Sequence, residues 1–396
     1  MAVVPGHRVL TPDPADRDLR GTWRLRSHQD ILETAMPTTT GMKGGGYYDA
    51  NSQAQRAAME PFLPWLEASI EHVPVPSQEQ GCYRFLDIGS SEGANAVYAI
   101  KRLIRALRRV SSLPIQVGFD DLPSNDFNRL FLNLFPQGQL DLAAEEIYAC
   151  AVAGTAFGRL VPAGSLQLAT TFNAIGFLNE KPKAELPRFI LPMAPGPHAP
   201  RPGVHVTDQD LIPFRTQAAS DLKAFYAARA AELVSGGQLL VQVFGRRGEL
   251  STSHGIYDVL SDALLDAVEQ GRLPQVVYEQ LLFPIYFRSL EELLAPVQPG
   301  AEHGACFEVL QAEVREVEVP FNQQRQLDGD VNAWARQYTG FMRAFTEAIL
   351  AAALPETLPQ ADILEWIYER IQQRLIATPE RYPFHYISIG ALLKRL

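Results

Sequence analysis

The chain has 396 residues, 46% hydrophobic and 20% charged, with a net charge of −10. It is long enough to bury a full core, and it lacks the basic excess that a nucleic-acid or other polyphosphate partner would require. Its cysteines, Cys82, Cys150 and Cys306, are too few and too far apart for a zinc site or a disulfide framework, so a reducing, cytoplasmic setting is expected. No run approaches the ~20 apolar residues of a membrane span, and no membrane partner is expected.

Residues 1–40 mix Arg and Asp without an apolar centre and read as a polar N-terminal arm, not a signal peptide. The segment MKGGGYYDANSQAQR, residues 42–56, follows consecutive glycines with a polar stretch. It reads either as a solvated loop or as a flap that folds over a ligand and delivers polar groups.

The first strong element is CYRFLDIGS, residues 82–90, a short β-prone run closed by Gly89 and expected to be a buried strand. After Gly93, ANAVYAIKRLIRALRRV places Val97, Ile100, Leu103, Ile104, Leu107 and Val110 at three-and-four spacing, the signature of an amphipathic helix. PIQVGFDDL predicts a second strand ending on Asp120 and Asp121, and NDFNRLFLNLF a second helix. SLQLATTF (165–172) and GGQLLVQVFG (236–245) predict further buried strands, with the helical DLKAFYAARAAELV before the latter. Strands alternating with helices imply an α/β protein whose parallel sheet is covered on both faces.

Two regions break the alternation. The proline-dense stretch 182–213 excludes regular helix and predicts a long loop or lid. Residues 255–380 read as a mainly helical cap, whereas 381–396 returns to strand character and is expected to rejoin the sheet. The core would then run from 41 to 254. The histidines, among them His198, His205 and His254, lack metal-ligand spacing, and no metal site is expected. Arg246 and Arg247 could face an acidic substrate or be solvated turn residues. Tyr286 and Phe287 are pocket candidates because the cap begins near them, whereas Phe225, Tyr226, Trp366 and Tyr368 read as core.

The first chemical motif is Asp87-x-Gly89-x-x-x-Gly93 between strand and helix. Glycine permits a tight turn and close backbone approach, the helix N-terminus offers free N–H groups, and the carboxylate can bind hydroxyls or a cation. The spacing is not the dinucleotide fingerprint, so a cofactor without a pyrophosphate fits better than a dinucleotide; a plain structural turn is the alternative. About thirty residues on, an acid at the end of the next strand can accept both ribose hydroxyls, or be a solvated turn residue.

Taken in order, MKGGGYYDANSQAQR, FLDIGSSEGANA, FDDLPSNDFNRLF, AGTAFGRLVPAGSL and LVSGGQLLVQVFGRR resemble the successive motifs of the SABATH methyltransferases, the plant family of carboxyl methyltransferases and caffeine-pathway N-methyltransferases. The resemblance runs from about residue 41 to the C-terminus. It implies a class I, Rossmann-like methyltransferase sheet with an α-helical cap over the active site, S-adenosylmethionine as cofactor, S-adenosylhomocysteine as its product, and a homodimer. By position it places cofactor-binding roles on Tyr48, Asn51, Ser52, Asp87, Gly89, Ser90, Asn95, Asp121, Leu122, Thr155 and Ala156, with Asp121 rather than Asp120 holding the ribose. Ala156 stands where the family has an aromatic residue.

On the acceptor side the resemblance implies Lys43 and Gln55. Phe177 falls where carboxyl-methylating members have a tryptophan whose indole N–H helps grip the carboxylate, and Asn173 replaces a nearby tyrosine and could supply a donor instead. The implied activity is methyl transfer to the carboxylate of a small aromatic or isoprenoid-like acid. N-methylation of a heterocycle and an inactive binding relative are the alternatives. An ionised carboxylate is already a nucleophile at neutral pH, so no catalytic acid or base is expected, only positioning in a dry pocket.

Overall fold

The computed structural model describes residues 41–396 except 80, 137–141, 143–145, 187, 194 and 205. The N-terminal arm 1–40 and His205 therefore lie outside the described residues. The short apolar runs form the strands β1 (Tyr83–Ile88), β2 (Ile115–Asp121), β4 (Leu166–Phe172) and β5 (Leu233–Phe244), all parallel in one sheet. Between β2 and β4 in the chain, β3 (Ile147–Ala153) joins the β2 edge of the sheet. Its sequence, IYACAVA, is half-exposed and poor in large apolar residues, which is why the hydrophobic pattern does not announce it.

Short strands β6 (Arg246–Arg247) and β7 (Leu250–Ser251) pair apart from the main sheet, whose seven strands have the order β3-β2-β1-β4-β5-β9-β8, the last two being β8 (Phe307–Val317) and β9 (Tyr386–Arg395), both antiparallel to their neighbours. The stretch 255–380 is thus mainly helical but contains one long strand. β8 is an edge strand, and Glu308, Glu313, Arg315 and Glu316 along it keep the edge charged at the cost of strand-like hydrophobicity.

The helices in chain order are α1 (Tyr47–Ala50), α2 (Gln53–Met59), α3 (Leu63–Ser69), α4 (Ala94–Leu107), α5 (Phe127–Leu134) and α6 (Asp208–Glu232). They are followed by α7 (Ile256–Glu269), α8 (Gln275–Glu279), α9 (Leu290–Leu294), α10 (Pro320–Asp328), α11 (Val331–Ala353) and α12 (Gln360–Ala377). The apolar stripe of α4 (Val97, Ile100, Leu103, Ile104) packs with Phe85, Val117 and Phe119 on one face of the sheet. Leu222, Phe225 and Tyr226 of α6 pack with Leu86, Ile88, Leu239 and Val241 on the other. Helix α4 stops at Leu107, before the predicted Val110, which is exposed; Arg108 turns its guanidinium onto the Ser111 and Leu113 carbonyls beyond.

α6 begins inside the proline-dense stretch. A capping box between Thr207 and Asp210 starts it, and Pro213 falls early enough to cost one backbone hydrogen bond without ending the helix. The rest of that stretch is latched to α7: Arg201 donates to the Asp262 carboxylate and to Ser261 Oγ (2.8 Å). Asp266, one turn on, takes Arg370 and Arg374 of α12, each at 2.5 Å. These ionic contacts rim an apolar cluster formed by α7, α11 and α12 with Phe189, Ile190 and Leu191.

At the C-terminal end of α6, Arg229 and Glu232 are both fully buried and paired at 2.7 Å. The pair holds the segment that follows β3. Arg229 donates to the Ala156 and Gly158 carbonyls (3.0 and 2.9 Å), and Glu232 accepts the Leu160 and Val161 N–H groups. Asp120 is 1% exposed, and its Oδ1 has no hydrogen-bond partner. Burial, then the nearby Asp121 charge, push its pKa up to about 8, although Arg229 pulls it down.

Arg229→Leu leaves Glu232 charged, buried and unpaired, so thermal or denaturant unfolding should show a loss of about 3–5 kcal/mol; a change within error would mean that the pair contributes nothing. Asp120 should oppose folding at high pH. Its folded pKa lies above the ordinary carboxylate value, so its favourable contribution is complete below about pH 4 and is lost as pH rises through about 8. Asp120→Asn should therefore melt higher than the parent chain at pH 8 and converge with it near pH 4, and parallel melting curves across that range would contradict this.

Candidate active site

Because β1, β2, β4 and β5 are parallel, they all end at one edge, and the residues that follow them meet there. At the end of β1 the chain turns sharply. The N–H groups of Gly89 and Ser90 both donate to the Asp120 carbonyl, at 2.9 and 2.8 Å. Gly89 has φ of +80°, and a Cβ there would sit 2.4 Å from that of Ala174, so only glycine fits.

Asp87, 1% exposed, accepts from Ser90 Oγ (2.8 Å) and Thr170 Oγ1 (2.6 Å). Burial still raises its pKa to about 6. Asp121 receives the N–H groups of Ser91 (2.7 Å) and Leu122 (2.8 Å), and burial likewise brings it to about 6. Thr155 and Ala156 follow β3 at the same edge. The Thr155 hydroxyl donates to Asn179 (3.1 Å), while Ala156 is held through its carbonyl by Arg229.

The glycine-rich segment docks onto this edge through residues that the motif reading passed over. Glu92, inside the glycine turn, accepts the N–H groups of Gly46 and of Asp49 (3.0 Å). Asp49 in turn accepts the N–H of Ala94 in the first turn of α4 (3.2 Å) and the side chain of Asn133. Asn133 also donates to the Glu92 carbonyl, at 2.7 Å. The signal for Glu92 and Asp49 was faint, since acids near a helix start are common for electrostatic reasons alone.

This docking sets Tyr48 among Asp49, Asp121 and Glu92, whose charges add to burial in raising its phenol. Asn95 donates to Ser52 Oγ (3.1 Å) and accepts from Arg56 (2.9 Å). Asn51 donates to the Tyr47 carbonyl (2.9 Å), and its Oδ1 abuts Gly340 of α11. The edge is therefore acidic: Asp49, Asp87, Glu92, Asp120 and Asp121 are all held above their usual range by burial. A cofactor with a positive charge and a ribose diol fits these groups, whereas a pyrophosphate would be repelled.

Beside the edge lies a cavity of about 430 Å³ of empty space, including its mouth, between the sheet and the helical cluster. Phe177, Phe244, Phe287, Phe341 and Phe345 form much of its wall, and Tyr48, Gln55, Asn173 and Tyr386 are among its polar groups. Phe177 meets Phe244 edge-on at 5.9 Å. Gln55 is 7% exposed, and its Oε1 has no hydrogen-bond partner. Asn173, with φ of +65°, accepts from the Phe244 N–H (3.0 Å) and Gln242 (3.2 Å).

Lys43 is not among the lining residues. Its ammonium pairs with Glu347 of α11 at 2.6 Å, tying the flap to the cap. Phe287 lines the cavity, whereas Tyr286 donates to Glu292 (2.9 Å), which also pairs with Arg246 (2.8 Å). Among the described residues no group of three or more His, Cys, Asp or Glu is placed to hold a metal, and no helix is long and apolar enough to cross a membrane.

Comparison with known proteins matches residues 34–395 to the model of the SAM-dependent carboxyl methyltransferases. Gibberellic acid methyltransferase 2 of Arabidopsis thaliana is 24% identical over 89% of this chain and 93% of its own length. Probable caffeine synthase 2 of Camellia sinensis is 25% identical over 89% of this chain and 96% of its own. Among solved structures, a loganic acid methyltransferase with S-adenosylhomocysteine superposes with a TM-score of 0.72, at 22% identity, over 89% of this chain and 98% of that one, which establishes the fold. With a family model matched over nearly the whole chain, the protein is an S-adenosylmethionine-dependent enzyme and belongs to the SAM-dependent carboxyl methyltransferase family, the SABATH methyltransferases.

Proposed function

We propose that this enzyme esterifies the carboxylate of a small, largely apolar acid, with Asp121 and Asp87 at the cofactor and Gln55 at the acceptor. The observation that carries the reading is the composition of the cavity wall. It is aromatic and aliphatic, its polar groups are neutral, and no lysine, arginine, histidine or carboxylate lines it among the described residues.

Bound S-adenosylmethionine supplies an electrophilic methyl group on a sulfonium. The chain's own residues position the acceptor. An acid needs no base, because it is ionised well below neutral pH. The aromatic walls keep water from the nucleophile, and Gln55, buried in the wall, has an amide NH₂ to offer the carboxylate. Asp121, gripped by two backbone N–H groups, presents a rigid acceptor for ribose hydroxyls. Tyr48 and Ser52 would close over the cofactor from the flap, with Asn51, Ser90, Asn95, Leu122, Thr155 and Ala156 around it.

N-methylation of a heterocycle is the second reading, and a probable caffeine synthase stands among the relatives. A neutral nitrogen acceptor must shed a proton, and the wall offers no base for it. Unpaired cysteines accord with the cytoplasmic setting proposed here; the homodimer rests on the family resemblance alone.

Incubation with labelled S-adenosylmethionine and gibberellic acid, loganic acid, benzoic acid or xanthine tests the reading. An alkali-labile product from an acid is expected, and an alkali-stable product from xanthine alone would overturn it. Asp121→Ala should weaken cofactor binding by calorimetry at least about tenfold, whereas Gln55→Ala should leave that affinity alone and lower kcat/KM for the acid. Equal effects of both on cofactor affinity would undo the division of labour. Cofactor affinity should also fall as pH drops through about 6, where Asp87 and Asp121 take up protons and lose their attraction for a cation; an affinity unchanged between pH 7.5 and 5 would remove them from that role.

A further inference from the structure

Phe177 brings no hydrogen-bond donor to the acceptor cavity, which leaves the question of what supports Gln55 in holding an anion. Tyr386 is the first residue of β9. Since β9 runs antiparallel to β5, that first residue lies at the edge where the parallel strands end. Its side chain is 2% exposed and lines the same cavity as Gln55 and Asn173.

Asn173 is fixed in orientation. Its Oδ1 is committed to the Phe244 N–H and to Gln242, so its NH₂ is the end left for the cavity side. Asn173 and Tyr386 line the same cavity, and burial, with Tyr48 nearby, raises the Tyr386 phenol, so its O–H stays in place to donate while the Asn173 NH₂ is the group that can face its oxygen. A phenol whose oxygen accepts one N–H retains its own O–H to donate.

We propose that the Tyr386 hydroxyl, oriented by the Asn173 amide, is the second donor to the acceptor's carboxylate beside Gln55. This rests on the carboxylate reading above. Tyr386 binds the substrate, and Asn173 is a positioning residue. Two neutral donors hold the anion by charge-assisted hydrogen bonds while no lysine or arginine in the wall neutralises it, so the carboxylate keeps its charge for the sulfonium. No proton moves: the acceptor oxygen gains the methyl carbon as the carbon–sulfur bond breaks, and the electron pair stays on sulfur.

Tyr386→Phe removes the hydroxyl alone. With whichever of gibberellic, loganic or benzoic acid the parent enzyme esterifies, kcat/KM for the acid should fall about ten- to a hundredfold. The affinity for S-adenosylhomocysteine by calorimetry and the melting temperature should stay as in the parent. Asn173→Asp keeps the acceptors for Phe244 and Gln242 but turns the donor into an acceptor that captures the phenol proton, so it should lose at least as much acid turnover. An unchanged kcat/KM in Tyr386→Phe beside a loss in Gln55→Ala would overturn this proposal and leave esterification standing. A fall in S-adenosylhomocysteine affinity matching the fall in turnover would also overturn it, by making Tyr386 a cofactor residue. A parent enzyme that esterifies none of the acids and methylates xanthine would overturn the carboxylate reading itself.

Discussion

The constraint on which the rest depends is the parallel pairing of β1 with β2 and β4. It aligns Ile88 with Asp120 on one side and with Thr171 on the other, so the chain leaves all three strands at the same level. From that alignment follow the bonds of Gly89 and Ser90 to the Asp120 carbonyl, of Thr170 to Asp87, and of Ser91 to Asp121. Each is a short contact between residues far apart in sequence, and each would be lost by a slip of one residue in register. Adjacent acids at the end of β2 divide by the same alternation. Asp121 turns to the cofactor edge, and Asp120 lies within the field of the buried Arg229–Glu232 pair.

Charge is partitioned across the site. The strand edge gathers carboxylates that burial holds above their usual pKa, an environment that favours a cation. The acceptor side is lined by neutral groups. A sulfonium on one side and a carboxylate on the other lose charge as they react, and a dry, weakly polar chamber opposes that loss least. The same physics explains why Lys43 serves better bound to Glu347 than pointed at the acceptor. A free ammonium beside the carboxylate would pair with the nucleophile and dull it.

The helical cap is held together by interactions of two kinds. Aromatic packing of α7, α11 and the β9 entry forms the cavity wall, while arginines from the proline-dense stretch and α12 converge on the acids of α7. Partly buried ion pairs fix geometry more than they add stability. Here they hold α12 and the proline-dense stretch to α7.

Much of this was legible in the sequence because the signals are local. Short apolar runs gave the inner strands, three-and-four spacing gave α4, and the ordered motifs pointed to the family and its cofactor. The edge strands β3 and β8 were not legible, since an edge strand is half-exposed and needs no continuous apolar run. Nor was the start of α6, which a capping box begins despite Pro213. Glu92, Asp49 and Asn133 were invisible as a group, because what they do is bridge segments about forty to eighty residues apart. The sequence alone determined the kind of sheet, the turn chemistry and the cofactor class, which depend on neighbouring residues. Only the tertiary structure decided which face each acid turns to and where Lys43 spends its charge, because those depend on groups that only folding brings together.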